Sequence, residues 1–310
     1  MNENLSPITQ ELLQLLSESG NGKFQGAYSL RQDGKCIGSA SNEHVSIRPK
    51  EGKPGIEVHV TPGTKGETVF IPSCVTQGGF NDTVYNDFYI GAGCDILIRS
   101  GCGVHTDNHE LARHNGIHRF FVGEGATVHY EEKHIGTGKG SGKRSINPVS
   151  EIHLAKNAFM EINATQISGL DKAQRNTVAQ VEEGAKLIVR ERLFTEEDQI
   201  TDTRFKVELN GNGASADVVS RSVARGRSHQ TMDSVIVGNA ACTGHSECDS
   251  IIGEEAIVDA SPRLFAHHPD ASLIHEAAIG KIAGEQILKL QSLGLTEEEA
   301  EAEIIRGFLS

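Results

Sequence analysis

Tryptophan is absent from the 310 residues, and aromatic residues together make up 5% of them. A core of large rings is therefore excluded, and whatever is buried must be built from Val, Ile, Leu and Ala. No apolar run approaches the roughly 18 residues that a membrane-spanning helix needs. The first residues, Met1-Asn2-Glu3-Asn4-Leu5, lack the basic start and apolar stretch of a signal peptide. The expectation is a soluble, cytoplasmic protein. Positive charge is in deficit, with 29 Lys and Arg against 42 Asp and Glu, for a net charge of −13. Such a surface repels phosphate backbones and weighs against nucleic-acid binding. The six cysteines are Cys36, Cys74, Cys94, Cys102, Cys242 and Cys248. In a reducing compartment they read as buried thiols or metal ligands rather than disulfides.

What is present is glycine, 34 residues of it, and many short apolar runs. Residues 7–19 read as an amphipathic helix, capped by Ser6, opened by Pro7 and ended by Gly20 and Gly22. From about 25 to 265 the period changes to that of strands, as in Asp95-Ile96-Leu97-Ile98 and Thr127-Val128-His129-Tyr130. A small corner recurs before the strands: Gly91-Ala92, Gly125-Ala126, Asn157-Ala158, Gly184-Ala185, Gly213-Ala214 and Asn239-Ala240. Repeats of this length built from strands alone point to coils stacked into a solenoid. A β-sandwich accommodates the same strand lengths. After Pro269 the pattern reads as helical. Ile279, Ile282, Ala283, Ile287, Leu288 and Leu290 fall at helical spacing, Gly294 stops the helix, and Thr296 with Glu299 opens another as a capping box. The expected organisation is a helical segment over 1–24, a β core over 25–270 and a helical segment over 271–310. That last pair of helices either caps the open end of the solenoid or receives a partner.

Several enzyme signatures fail on inspection. Gly136–Arg144, GTGKGSGKR, resembles a phosphate loop but has the wrong spacing and carries Arg144 where a magnesium-binding hydroxyl belongs; it reads as a flexible surface loop. His109–His114 is one residue too long for a zinc-binding helix motif. Two groups of ligand-type residues remain. One is His105, His109, His114, His118, His129 and His134, with Cys102 just upstream. The other is Cys242, His245, Glu247 and Cys248, followed by His267, His268, His275 and Glu276. Thiolate and imidazole suit iron and iron–sulfur clusters, but two cysteines are too few for a closed four-thiolate site. Each residue taken singly also fits a purely structural place.

The second group lies in segments that carry a resemblance. Gly244-His245-Ser246-Glu247-Cys248-Asp249-Ser250, His267 to Ala277, Ile279-Gly280-Lys281-Ile282 and Gly294 to Ala300 resemble the SufB/SufD scaffold proteins of the SUF system. His114 to Phe120 and Tyr130 to His134 extend the likeness inward. The resemblance implies a mainly β protein, a right-handed parallel β-helix flanked by a short N-terminal helix and a C-terminal helical hairpin. It implies assembly of a transient iron–sulfur cluster from iron and sulfide, with Cys248, His275 and Glu276 as ligands; Cys242, His245 and His267 of the second group stand beside them as additional candidate ligands. It also implies a SufC-type ABC ATPase partner, docked on the hairpin through Ile282, Ile287, Leu290, Ile304 and Phe308. Pairing with a second copy or a paralogous subunit completes the picture, and the chain itself would be a scaffold rather than an enzyme. Ile274 departs from the Glu of the family segment, and the chain reads as a short form without a longer N-terminal domain. The competing functions are a histidine-rich metal-dependent enzyme and a carbohydrate-active β-helix protein.

Overall fold

The computed structural model describes residues 5–17, 22–253 and 255–310. It opens with helix α1 (Pro7–Ser17), whose first turn is closed by Ser6 Oγ accepting from the Thr9 amide at 3.1 Å. Gly20, one of the two expected stops, lies outside the described residues. The strands that follow are β1 (Ala27–Gln32), β2 (Lys35–Ala40), β3 (Val45–Pro49), β4 (Gly55–Val60), β5 (Lys65–Val75), β6 (Asn81–Ile90) and β7 (Asp95–His105). Next come β8 (Ala112–Val122), β9 (Thr127–Thr137), β10 (Arg144–Ile146), β11 (Val149–Leu154), β12 (Phe159–Ser168) and β13 (Lys172–Val181). The series ends with β14 (Lys186–Thr195), β15 (Ile200–Leu209), β16 (Ser215–Ala224), β17 (His229–Gly238), β18 (Thr243–Ile252), β19 (Ile257–Ala266) and β20 (Ser272–Gly280). Helices α2 (Gly284–Gln291) and α3 (Glu297–Phe308) close the chain.

From β4 onward successive strands alternate between two ten-stranded sheets. Sheet A runs β2-β1-β5-β7-β9-β12-β14-β16-β18-β20, and sheet B runs β19 back to β3, with β10 and β11 sharing one place between β8 and β13. Pairing is parallel except in the β1–β2 and β3–β4 hairpins at the N-terminal end. The solenoid reading therefore holds and the sandwich falls.

Alternation supplies the core. In β8 every second residue, from Ala112 to Val122, is buried. The inward residues of the two sheets meet as one apolar column that includes Phe88, Phe120 and Tyr130. Phe88 and Phe120 stack at 4.6 Å. Each such side chain removed from water contributes about 1.5–3 kcal/mol. The register also corrects the corner repeat. Asp95 pairs with Thr127 and Ser215 with Thr243, so the structural equivalents of Ala126, Ala158, Ala185 and Ala214 are Cys94 and Cys242, not Ala92 and Ala240.

The loop at 136–144, read as a flexible surface loop, is packed against the fold. It stacks on the loop one coil earlier, the Gly140 amide donating to Thr106 O at 3.1 Å and the Gly142 amide to Asn108 O at 2.9 Å. A Cβ at Gly138, Gly140 or Gly142 would sit about 2 Å from a carbonyl oxygen of that earlier loop. These glycines serve close backbone approach, not a phosphate.

Two ends differ. α1 lies on sheet A over β5, β7 and β9, with Leu12 and Leu13 fully buried and Leu12 against Gly103. At the other end β19 and β20 are the last strands of their sheets, and Ile257, Leu264, Phe265, Ile274 and Ile279 there are exposed. The helical hairpin does not cover this end. Ile305 and Leu309 with Ile282 and Phe308 pack on Phe194, Val223 and Ile251, along the side of sheet A, and Arg225 bridges to Glu301 at 2.9 Å. Residues 272–280, read as the start of a helix, form β20 instead; pairing with β18 outweighs the apolar spacing, and the helix begins at Gly284. The capping box of Thr296 and Glu299 is present as expected.

Candidate functional site

β18 and β20 are parallel neighbours at the C-terminal edge of sheet A, with Ser246 opposite His275, Glu247 opposite Glu276 and Cys248 opposite Ala277. Side chains alternate across the sheet. Cys248 and His275 therefore face the interior, whereas His245, Glu247 and Glu276 face outward. Of the three ligands expected from the resemblance, two share a face and the third, Glu276, stands on the other. Cys248 and His275 sit one strand apart and two residues out of step, roughly 8 Å between Cα atoms from strand spacing and rise.

Cys248 is 3% exposed. Burial pushes its thiol up to about 11, Glu191 and Asp249 push the same way, and the Ser250 hydroxyl opposes them. At neutral pH it is a thiol, so taking up a metal must release a proton. His275 is half-buried on the last strand, and its Nδ1 lies 3.2 Å from the backbone oxygen of Ser246. A carbonyl only accepts, so Nδ1 donates in this contact and Nε2 is the ring nitrogen left to face a metal.

Cys248 belongs to an inward row that no motif announces. Ser100, Glu132, Ala164, Glu191, Ser220 and Cys248 lie side by side on successive strands of sheet A. Ser220 Oγ donates to Glu191 at 2.8 Å, and Arg175 from sheet B bridges Glu132 at 2.6 Å and Glu191 at 3.3 Å. Burial works to raise the Glu132 carboxyl, but Arg175, His134 and His118 together hold it well below the usual range. In the sequence these residues are scattered from Ser100 to Cys248, and only the coil register aligns them.

The other candidates fall elsewhere. Cys242 precedes β18 at a corner, six residues from Cys248, or about 20 Å along an extended chain. It packs in the apolar core, and burial raises its thiol too. His267 is exposed on a turn, its Nδ1 3.0 Å from Asn239 Oδ1. Neither converges with Cys248 within one chain. His245 faces outward; Asp217 Oδ1 holds its Nδ1 at 2.8 Å, which raises the imidazole pKa, and its Nε2 lies 3.6 Å from Glu276 Oε2.

Of the histidines of 105–134, His105, His114, His118 and His134 are buried and engaged, whereas His109 is exposed on the loop after β7. His114 Nδ1 lies 3.3 Å from Asp82, His118 Nδ1 2.8 Å from the Tyr130 hydroxyl, and His134 Nε2 3.5 Å from Glu132. Tyr130 donates to Glu132 at 2.9 Å, so it accepts from His118. His129 faces outward to Glu161. Among the described residues no three of these histidines bring ligand atoms together; the group that does is His245, Glu247 and Glu276. The residues singled out for partner binding, Ile282, Ile287, Leu290, Ile304 and Phe308, are all half-buried. The exposed apolar side chains of the hairpin are Leu288 and Leu293. No helix among the described residues is long and apolar enough to cross a membrane.

Comparison with known proteins agrees with the segments that carry the resemblance. The family model described as SUF system FeS cluster assembly, SufBD core domain, matches residues 90–308. An iron–sulfur cluster assembly SufBD family protein of Archaeoglobus fulgidus is 27% identical over 276 residues, covering 89% of this chain and 73% of that protein. Relatives of the same description in Methanothermobacter thermautotrophicus and Pyrococcus horikoshii are 28% and 29% identical, and the chain spans 65% and 84% of their respective lengths. With more than half of its length matched, from β6 to the end of α3, the chain belongs to the SufBD family, whose role lies in iron–sulfur cluster assembly.

Proposed function

We propose that this protein is a scaffold on which iron and sulfide are built into a cluster that is then passed on, and that it works with a SufC-type ABC ATPase in the cytoplasm. The observation that carries the reading is that Cys248 and His275 share one inner face on neighbouring strands, the His275 Nδ1 held by a backbone oxygen, beside the uncovered end of the solenoid. One thiolate and one imidazole from a single chain are an incomplete set. Such a site retains its cargo more weakly than four thiolates would, which suits a protein that must release what it assembles. The missing ligands come from a second copy or a paralogous subunit. The exposed Phe265, Ile274 and Ile279 on the unpaired last strands favour docking there. Leu288 and Leu293 favour the hairpin as the ATPase surface.

Anaerobic loading with ferrous iron and sulfide tests the reading. Wild type takes up a cluster absorbing in the visible range, and Cys248→Ala and His275→Ala lose most of it. Undiminished uptake by Cys248→Ala would remove the inner face as the site. Deletion of residues 284–310 abolishes co-purification with the ATPase while leaving cluster uptake by the β core in place.

A further inference from the structure

The outer face of sheet A carries a second gathering of ligand-type groups. We propose that His245, Glu247 and Glu276 form a binding site for a first-row divalent cation, on the opposite face from Cys248 and His275 and independent of them. One ligand atom from each of the three residues lies within 4.8 Å of the others. Ligands around one ion with bonds of about 2.1 Å stand roughly 3–4 Å apart, so a small side-chain adjustment closes the set.

The arrangement is built by register. Asp217 on β16 pairs with His245 on β18, and Glu247 on β18 pairs with Glu276 on β20. Asp217 accepts from His245 Nδ1 through Oδ1 at 2.8 Å and from Arg190 through Oδ2 at 2.7 Å. The ring is thereby oriented with Nε2 toward Glu276, at 3.6 Å. A carboxylate behind a histidine is the usual support for a metal-binding imidazole. The two glutamates are a like-charge pair directly across neighbouring strands, an arrangement that costs stability. Asp249 adds a further negative charge beside Glu247, opposed by Arg221 and His245, and a bound cation removes the repulsion. As an ion pair alone, His245–Glu276 would contribute little, because the Glu276 side chain is 67% exposed. One imidazole with two carboxylates favours Mn2+, Fe2+ or Zn2+ over Ca2+ and Mg2+, which prefer oxygen ligands throughout. Three protein ligands leave coordination positions for water.

The test is titration of the full chain with Mn2+, followed by loss of the free-ion EPR signal and by nitrogen couplings to the bound ion. Wild type binds one Mn2+ with an imidazole nitrogen coupling. His245→Ala and Glu276→Gln weaken binding at least tenfold, and His245→Ala abolishes that coupling. Asp217→Asn, which alters a positioning residue, weakens binding about tenfold and changes the coupling without removing it. Cys248→Ala binds as wild type does. Thermal unfolding without metal serves as the folding control for each variant. Absence of Mn2+ binding by wild type, wild-type binding by His245→Ala and Glu276→Gln, or joint loss in Cys248→Ala would overturn the proposal. The Cys248→Ala arm also separates this site from the cluster reading. Failed cluster loading leaves the Mn2+ result standing, and failed Mn2+ binding leaves cluster loading untouched.

Discussion

His118 shows how burial overrides residue type. In the sequence it belongs to a histidine-rich stretch that suggests metal binding. In the fold it is enclosed between the Tyr130 hydroxyl, which accepts from its Nδ1, and the Asn86 amide near its Nε2. Burial lowers its pKa from 6.5 to about 4, against an opposing pull from Glu132. The unfolded chain therefore binds a proton near pH 6.5 that the folded chain refuses until about pH 4. Stability is fully retained above pH 6.5 and falls as the pH drops toward 4, by about 3 kcal/mol from this group. Urea unfolding across that window should show the slope, and His118→Gln should reduce it, leaving the share of the buried His134, whose pKa burial also lowers. The two cysteines of the second ligand group divide in the same way. Cys242 occupies the corner position that Ala126, Ala158, Ala185 and Ala214 occupy in other coils. Cys242→Ala should change stability by less than about 1 kcal/mol and leave cluster loading intact, whereas Cys248→Ala should lose most of the loading. Since the Cys248 thiol titrates near 11, the initial loading rate should climb up to tenfold per pH unit between pH 7 and 9. Sequence proximity favoured treating both cysteines as ligands; only the coil register, which puts Cys242 at a corner and Cys248 beside the last strand, distinguishes them.

Among the elements, those announced by local chemistry were legible. α1 with its Ser6 cap, the Thr296–Glu299 box and the alternating strands all follow from short-range preferences. β20 was hidden because Ile279, Ile282, Ala283 and Ile287 imitate a helical stripe that crosses the strand end and the linker. Its partner, β18, lies about 30 residues away and decides the matter through the ladder. The 136–144 loop misled for a related reason. Its glycines look like flexibility in one dimension but are contact points with the coil below. Gly140→Ala places a Cβ about 2 Å from the Asn108 carbonyl oxygen, which is backbone and cannot swing away. A loss of about 1–3 kcal/mol in thermal unfolding is expected. Gly307, inside α3, has open space around it, and Gly307→Ala should instead stabilise that helix by about 0.5–1 kcal/mol, read by slower amide exchange over 297–308.

For the whole molecule, the fold class was legible from the period of the corners, and the family from ordered segments spread over the last two thirds of the chain. The distribution of residues between inner and outer faces was not, because parity along a strand has meaning only once the neighbouring coils are in register. The same register leaves one end of the solenoid apolar and unpaired. If that end is where a second subunit docks, Phe265→Asp with Ile274→Asp should shift the protein toward monomer in light scattering. The variant monomer should keep its thermal stability, since both side chains are exposed already.

A stack in which each coil touches only those before and after it has no reason to open all at once. The layer beyond β18 is the last, so thermal fraying begins beside Cys248 while the aromatic column around Phe88 and Phe120 stays shut. Amide exchange should therefore be fastest in 272–280 and fall off coil by coil toward the N-terminus. The thiol is sheltered by a single removable slat, and a pull on the chain just after it, where α2 begins, is mechanically the shortest way to lift that slat.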